Sequence, residues 1–404
     1  MTLQHADCDS RRSSDRRLPS QRPSVPPRTV LHVLGVLNRG GVERRTLELL
    51  EALRGEPIHS VICTLSGRRG ELAEAYERTG AQVVPINVRS LAFPVQFIRL
   101  IRSERVDVVD SHVLFASGYI LLLAALAGVR DRIAHFNSDA PDPHRRTWLR
   151  RLRYTVLRLM LERTATRVVG VAPNSLDANW GPGWRRDNRF SVLPYGINLN
   201  AFQRSPGRPL RDELRISPGT FLIVHLGRAD IPTKNRELAV RVVGECRRRG
   251  LNTELVFVGR DGASPADGKR NRASLQALAD AEGIGDHVRF LGERADVAEV
   301  LSSSDALLFT SRREGLPGVL IEAVASSTPV VSSDVPGAVY IAEQIPGITI
   351  VGLSEPAAAW ADALSGVLGS GRQNRHRHSS MSLKGSVFDL DLCLKSHREL
   401  WRLT

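Results

Sequence analysis

The sequence predicts an α/β protein of two domains, each a parallel sheet covered by helices. Three observations carry that expectation. Short apolar runs rich in branched residues alternate with helical segments from residue 29 to about residue 366, the pattern of strands buried on both faces. The chain has 404 residues, too many for one ordinary core and enough for two. A proline- and arginine-rich stretch at 204–209 interrupts the alternation and reads as a linker.

Residues 1–28 mix Arg, Ser, Asp, Gln and Pro without periodicity, which predicts a disordered basic tail, either solvated or touching anionic lipid. The first strand is expected over 29–37. It leads through Asn38, Arg39 and the adjacent Gly40 and Gly41 into a helix at 43–53. Strand, glycine loop and helix open a Rossmann-like unit, although GxGxxG spacing is absent. Strands follow at 59–65, 82–86, 106–110 and 132–136, with helices at 71–79, 94–103 and 119–127. Residues 144–164 form a basic helix in which Trp148, Leu152, Val156 and Leu159 recur at three- and four-residue spacing between arginines. It reads equally as a surface for anionic membrane or as a helix packing its apolar side on the first domain. A strand at 167–171, a helix from 174 and a strand ending in a bend at Tyr195 and Gly196 complete a first domain over 29–203.

The second domain is expected over 210–370. Its strands lie at 221–225, 254–258, 288–290, 306–309, 329–332 and 348–351, and its helices at 236–249, 274–282, 296–302, 318–325 and 356–366. Residues 371–390 read as a flexible polar segment and 391–404 as a C-terminal helix.

Composition narrows the partners. Apolar content of 42% and charged content of 25% are those of a soluble globular protein. A formal charge of +13 favours phosphate-bearing partners. Aromatics at 5% supply few stacking platforms, and no recognition helix, zinc-finger spacing or RNA-binding signature is present, so no nucleic-acid partner is expected. Cys8, Cys63, Cys246 and Cys393 are far apart without CxxC spacing, which predicts neither a metal site nor a disulfide scaffold and makes a reducing cytosol the default. The N-terminal residues lack a hydrophobic signal segment, and the uncharged run 113–129 contains Ser117, Gly118 and Gly128 and reads as a buried helix. The expectation is a cytoplasmic protein.

The chemistry centres on 305–335, a strand, loop, helix and strand. The loop carries Glu314, Gly315, Leu316, Pro317 and Gly318, and Glu322 follows eight positions after Glu314. If the loop leads directly into the helix, Glu314 sits on the rim and Glu322 roughly two turns in. Such a pair is either solvated surface or a ligand site, and parallel sheets bind ligands at this end of their strands. After the second domain's first strand, Arg228 and Lys234 lie in GRADIPTKN. A rigid guanidinium fork and a mobile ammonium near a helix N-terminus can clamp a diphosphate, although such cations also flank many surface loops.

In this order and spacing, NRGGVER, DVVDSH, RIAHFNSD, ATRVVGVAPNS, LPYGINLNAF, GRADIPTKN and EGLPGVLIEA resemble the retaining glycosyltransferases of family 4 across residues 30–365. The nearest branch is that of bacterial capsular and exopolysaccharide enzymes. The resemblance implies the GT-B fold, two Rossmann-like domains with parallel sheets facing across a cleft. It implies that Arg228 and Lys234 hold the diphosphate of a UDP- or GDP-linked sugar and that Glu322 accepts from the ribose hydroxyls. Glu314 would orient the transferred sugar, and the backbone of Gly315, Leu316, Pro317, Gly318 and Val319 would cradle sugar or phosphate. Gly40 and Gly41 would allow close approach to donor and acceptor, and His135 would contact donor sugar or acceptor, with His112 a lesser candidate. No DxD motif occurs in the expected nucleotide site, so no metal or other cofactor is expected.

The acceptor implied is a glycan or a polyprenyl-diphosphate-linked oligosaccharide at the inner face of the cytoplasmic membrane. Departures from the family pattern are Tyr195 for asparagine, Asn198 for aspartate, Ser326-Ser327-Thr328 where glycine is usual, and Val335-Pro336-Gly337 for a Gly-Gly turn. Two other readings share the fold: a nucleotide-sugar 2-epimerase, and a noncatalytic nucleotide-sugar-binding protein.

Overall fold

The structure is a computed structural model that describes residues 27–138, 147–203, 209–228, 232–262, 264–369 and 382–403. The tail expected at 1–28 (but for its last two residues), all but the last residue of the linker, and residues 371–381 of the flexible segment lie outside the described residues.

Two parallel sheets organise the chain. The first contains β1 (Arg28–Leu34), β2 (Ile58–Thr64), β3 (Gln82–Pro85), β4 (Val108–Ser111), β5 (Asp131–Phe136), β6 (Arg167–Gly170) and β7 (Phe190–Val192), in the order β3-β2-β1-β4-β5-β6-β7. The second contains β8 (Phe221–Leu226), β9 (Thr253–Val258), β10 (Val288–Phe290), β11 (Ala306–Phe309), β12 (Val330–Ser333) and β13 (Ile348–Val351), in the order β10-β9-β8-β11-β12-β13. Every residue of β4, β9, β11 and β12 is buried, as strands covered by helices on both faces must be. Strand order reverses between β1 and β4 and again between β8 and β11. Such switch points leave a crevice beyond the strand ends. The glycine loop leaves β1, Arg228 follows β8, and Glu314 follows β11, so the fold itself gathers these segments.

The helices of the first domain are α1 (Gly41–Ala52), α2 (Ala73–Arg78), α3 (Phe93–Ser103), α4 (Ser117–Leu126), α5 (Trp148–Thr164) and α6 (Pro173–Trp180). The short α7 (Leu199–Gln203) and α8 (Pro209–Glu213) lead into α9 (Arg236–Arg248), α10 (Pro265–Ala281), α11 (Val297–Ser303), α12 (Gly318–Ala325), α13 (Pro336–Gln344), α14 (Ala357–Gly369) and α15 (Leu390–Leu400). Helices α4 and α5 pack backbone to backbone at Gly118, where a Cβ would collide with the Leu157 carbonyl oxygen.

The structure corrects several expectations. Helix α10 begins at Pro265, nine residues before its expected start at 274, because Ser264 caps it: its Oγ accepts from the Asp267 N–H at 3.2 Å. Val335-Pro336-Gly337 starts a helix rather than a turn, with proline in its first turn. Helix α12 spans the expected Gly318–Ala325, but counted from that start Glu322 stands about one turn in, not two. The C-terminal helix is not a separate element. Its Leu394, with Trp401 just beyond it, joins Val30, Leu49, Val108 and Val169 in one buried cluster of the first domain. The chain therefore crosses between domains twice, and the crossings touch where the Ile197 N–H donates to the Phe388 carbonyl at 3.0 Å.

Candidate active site

A cleft of ≈ 930 Å³ lies where the two switch points face each other. Its wall carries eight arginine and lysine side chains against five carboxylates, an excess that draws anions. Gly40, Gly41, Arg228, Lys234, Glu314, Gly315, Leu316, Gly318, Val319 and Glu322 all line it. Pro317 and His135 are not part of that wall.

On the second domain, the segment after β8 is tied down from below. Arg236, at the first position of α9, is 3% exposed, donates to the Gly227 carbonyl, pairs with Asp261 at 3.0 Å and stacks over Phe257. Asn235, in the left-handed region at φ 53°, accepts from Arg312 at 3.0 Å, and the Thr310 hydroxyl donates to the Asn235 carbonyl at 2.8 Å. Lys234 is thereby presented to the cleft, where its Nζ meets Glu314 Oε1 at 2.6 Å.

The loop from β11 to α12 needs its glycine. A Cβ on Gly315 would stand 2.5 Å from the Asn137 carbonyl oxygen and 2.8 Å from Ser138 Cα, both at the tip of β5 in the other domain. Asn174 of α6 donates to the Gly315 carbonyl at 3.0 Å, so this loop joins the domains directly beside the site.

From the first domain, Arg45 of α1 reaches across to Glu322 and also pairs with Glu48 at 2.5 Å. The Arg45 and Glu322 side chains are 9% and 7% exposed. Burial disfavours the guanidinium's charge, but Glu322 and Glu48 more than compensate and hold it protonated. Burial pushes the Glu43 carboxyl up, against backbone hydrogen bonding and the pull of Arg228. The side chain of Glu43 folds over Gly40, where a Cβ would collide with its carboxylate. The basic groups around the cleft thus rest against carboxylates: Lys234 on Glu314, Arg45 on Glu322, and Arg228 within the field of Glu43.

Behind the cleft lies a smaller chamber of ≈ 30 Å³ that shares Arg45, Asn137 and Tyr195 with it and is lined by His112, His135 and His397. His135 Nε2 is 2.7 Å from Asp110 Oδ1, and Trp401 donates to Asp110 Oδ2 at 2.9 Å. Burial would push Asp110 up, but the close approach of His135 reverses this and holds the carboxyl well below the usual carboxylate range. Burial lowers His32 and His397 to about 4 and His112 well below its ordinary value, so all three are neutral. Among the described residues, His32, Asp110 and His112 place potential metal-ligand atoms within 4.8 Å of one another, away from the nucleotide wall.

Sequence reasoning missed Arg45, Asp110, Asn137, Tyr195 as a wall residue, and Arg236. Only Arg236 carried a local signal, since a cation in a helix's first turn opposes the helix dipole and needs a reason. Arg45 and Glu322 are 277 residues apart, and nothing local in either segment marks the other.

Comparison with known proteins completes the picture. Residues 40–196 match the family described as glycosyl transferase 4-like domain, and residues 220–370 match glycosyl transferases group 1. The capsular polysaccharide biosynthesis glycosyltransferase CapH of Staphylococcus aureus is 27% identical over 374 residues, covering 92% of this chain and 98% of CapH. The structure of Anabaena HepE in complex with UDP and glucose superposes with a TM-score of 0.76 at 17% identity, covering 92% of this chain and 98% of that one. WaaG, a glycosyltransferase involved in lipopolysaccharide biosynthesis, superposes at 0.68 with 19% identity, covering 92% and 99%. Two parallel-sheet domains with a cationic cleft at their switch points are the GT-B architecture, and the family matches make the chain a glycosyltransferase, an enzyme that transfers a sugar from a nucleotide-sugar donor to an acceptor. The chain belongs to the glycosyltransferase 4-like family and resembles bacterial capsular and exopolysaccharide glycosyltransferases.

Proposed function

We propose that this protein is a retaining glycosyltransferase that takes its sugar from a UDP- or GDP-linked donor and builds a cell-surface glycan or glycolipid. The observation that carries this reading is the set of ion pairs in the cleft. Lys234–Glu314 and Arg45–Glu322 place two cations and two carboxylates on facing walls, with Arg228 beside them. A donor diphosphate takes Arg228 and Lys234, releasing Glu314 toward the hydroxyls of the transferred sugar. Glu322 exchanges part of its contact with Arg45 for the ribose hydroxyls. Charge grows on the leaving diphosphate as the glycosidic bond breaks, and cations already aimed there favour the transition state over the ground state. In the retaining reaction, the acceptor oxygen attacks the face that the diphosphate leaves. The acceptor proton passes to a diphosphate oxygen, so Glu314 need not become a nucleophile. The epimerase and binding-only readings share the cleft but give no product linked to an acceptor.

The acceptor side points to a membrane. Helix α5 buries Leu161 and Thr164 against the domain yet exposes Trp148 at 70%, with Leu149, Leu152, Val156 and Leu159 beside it. At 3.6 residues per turn these five positions fall within an arc of about 100°. Exposed Arg151 and Arg153 flank that arc. An apolar stripe edged by arginines suits the interface of an anionic bilayer. No described helix is long and apolar enough to cross one. Such a surface brings a polyprenyl-diphosphate-linked acceptor to the cleft from the inner face of the cytoplasmic membrane.

Calorimetry with UDP-glucose, UDP-galactose, UDP-N-acetylglucosamine and GDP-mannose tests the donor reading. One of them binds, and Arg228→Ala and Lys234→Ala each weaken it by ~10-fold or more. If the wild type binds no sugar nucleotide, the reading falls. Sedimentation with phosphatidylglycerol vesicles tests α5, and no retention at low salt rejects the membrane surface.

A further inference from the structure

The polar cluster behind the cleft is built more carefully than packing requires. Asp110 of β4 is 1% exposed, and each of its oxygens faces a particular neighbour. Oδ2 accepts from Trp401, which the C-terminal helix delivers from 291 residues away. Oδ1 faces His135 Nε2 at 2.7 Å, with His112 Nε2 farther off at 3.6 Å. His32 Nδ1 stands 3.9 Å from Oδ2 and is no competitor. The His135 ring is also clamped in plane, stacked on His112 with centroids 4.4 Å apart. The ring is turned off the ideal hydrogen-bond line, so neither Nε2 nor Oδ1 has a well-aligned partner. At 2.7 Å a bare Nε2 would still set its lone pair against the carboxylate's, and a buried carboxylate has no proton to give, so the imidazole nitrogen carries it.

We infer that Asp110, itself held by Trp401, is a positioning residue that fixes His135 in the tautomer with hydrogen on Nε2. Nδ1, on the other side of the ring, then remains an acceptor, and the ring lines the chamber behind the cleft. This inference rests on the proposed contact between His135 and the sugar or acceptor, and it specifies the chemistry of that contact. His135 accepts a hydrogen bond from a substrate hydroxyl and does not donate one. It orients that hydroxyl while the departing diphosphate takes the acceptor proton.

The Trp401 contact makes a sharp test. In Asp110→Asn the indole N–H still requires an oxygen, so the amide presents its oxygen to Trp401 and its NH2 to His135. Nε2 must then accept, and the ring's hydrogen moves to Nδ1. Two-bond proton–nitrogen spectra of the full chain labelled with 15N-histidine separate the two tautomers, with His135→Gln identifying the signal. The wild type shows hydrogen on Nε2, and Asp110→Asn shows it on Nδ1. Release of nucleotide diphosphate from the sugar nucleotide selected by calorimetry falls in kcat by ~100-fold or more, while KM stays within ~3-fold. Adding Trp401→Phe to Asp110→Asn frees the amide to turn and restores part of both the tautomer and the rate. Trp401→Phe alone keeps the wild-type tautomer. Hydrogen on Nδ1 in the wild type, or an unchanged tautomer in Asp110→Asn, overturns the positioning role. A reversed tautomer with full kcat overturns its link to transfer. A wild type that binds no sugar nucleotide counts against the donor reading and leaves the tautomer result standing.

Discussion

Gly315→Ala tests whether the contact between domains sets the geometry for transfer. The added methyl carbon would lie 2.5 Å from the Asn137 carbonyl oxygen and 2.8 Å from Ser138 Cα. Ordinary contact begins near ~3.5 Å, so the loop and the tip of β5 must separate by about 1 Å. Both obstacles are backbone at the end of a strand and cannot turn aside as a side chain end would. Overpacking of this kind costs about 1–3 kcal/mol, and the least resisted response is to open the cleft. The nucleotide contacts of the second domain move together with the loop, so affinity for UDP stays within ~3-fold by calorimetry. Transfer needs both walls, and a displacement of about 1 Å lowers kcat by ~100-fold. Gly318→Ala is the control. Its Cβ would meet only the end of the Arg45 side chain, at 3.1 Å, so the domains need not part and kcat falls less than in Gly315→Ala. A Gly315→Ala enzyme turning over at the wild-type rate would refute the idea that this contact sets the geometry.

Other substitutions probe stability. Ser327 follows α12 in the left-handed region at φ 60°, where the family resemblance leads one to expect glycine. Ser327→Gly relieves ~1 kcal/mol of strain and gives back part of it as chain entropy, so unfolding free energy rises by about 0.5 kcal/mol, and a lower urea midpoint would count against this account. Arg45→Met leaves Glu322 buried without its cation, which costs about 3 kcal/mol. Adding Glu322→Gln recovers most of that loss in urea denaturation, and equal stability of Arg45→Met and wild type would mean that the cross-cleft pair is not formed. Acid should unfold the protein early. His32 and His397 are lowered to about 4 and His225 to about 3, against 6.5 for the unfolded chain. Below pH 6.5 the unfolded state therefore binds more protons, and stability falls by about 1.4 kcal/mol per pH unit for each of these histidines until their folded values are reached. Urea midpoints at pH 7, 6 and 5 that do not fall would show that these side chains are not buried neutral.

The fold was largely legible because buried parallel strands announce themselves as continuous branched runs. All six strands of the second domain lie within a residue or so of their expected positions, down to the short β10. Helix starts were less legible. Pro265 and Gly268 look like loop residues until Ser264 is seen to cap them, and Pro336 looks like a turn residue although the first turn of a helix tolerates it well. In the cleft, the cations and carboxylates of the second domain could be named from the sequence because one short loop or helix end carries each set. Their pairing could not, because Arg45 meets Glu322 only through the approach of two domains. The position of His135 behind the wall was hidden for the same reason. A strand's alternation says which face a side chain takes, not how far below the rim it lies.

The bond from Trp401 to Asp110 bears on how the protein is made. Synthesis delivers the first domain long before residue 401, and domains generally fold in the order in which they emerge. During that interval the first sheet has no α15 over its buried cluster, and Asp110 is a carboxylate without its indole donor. The first domain is thus finished only by a residue made 291 positions after Asp110, and a ribosome that stalls in the second domain leaves a first domain still open to water at its polar heart.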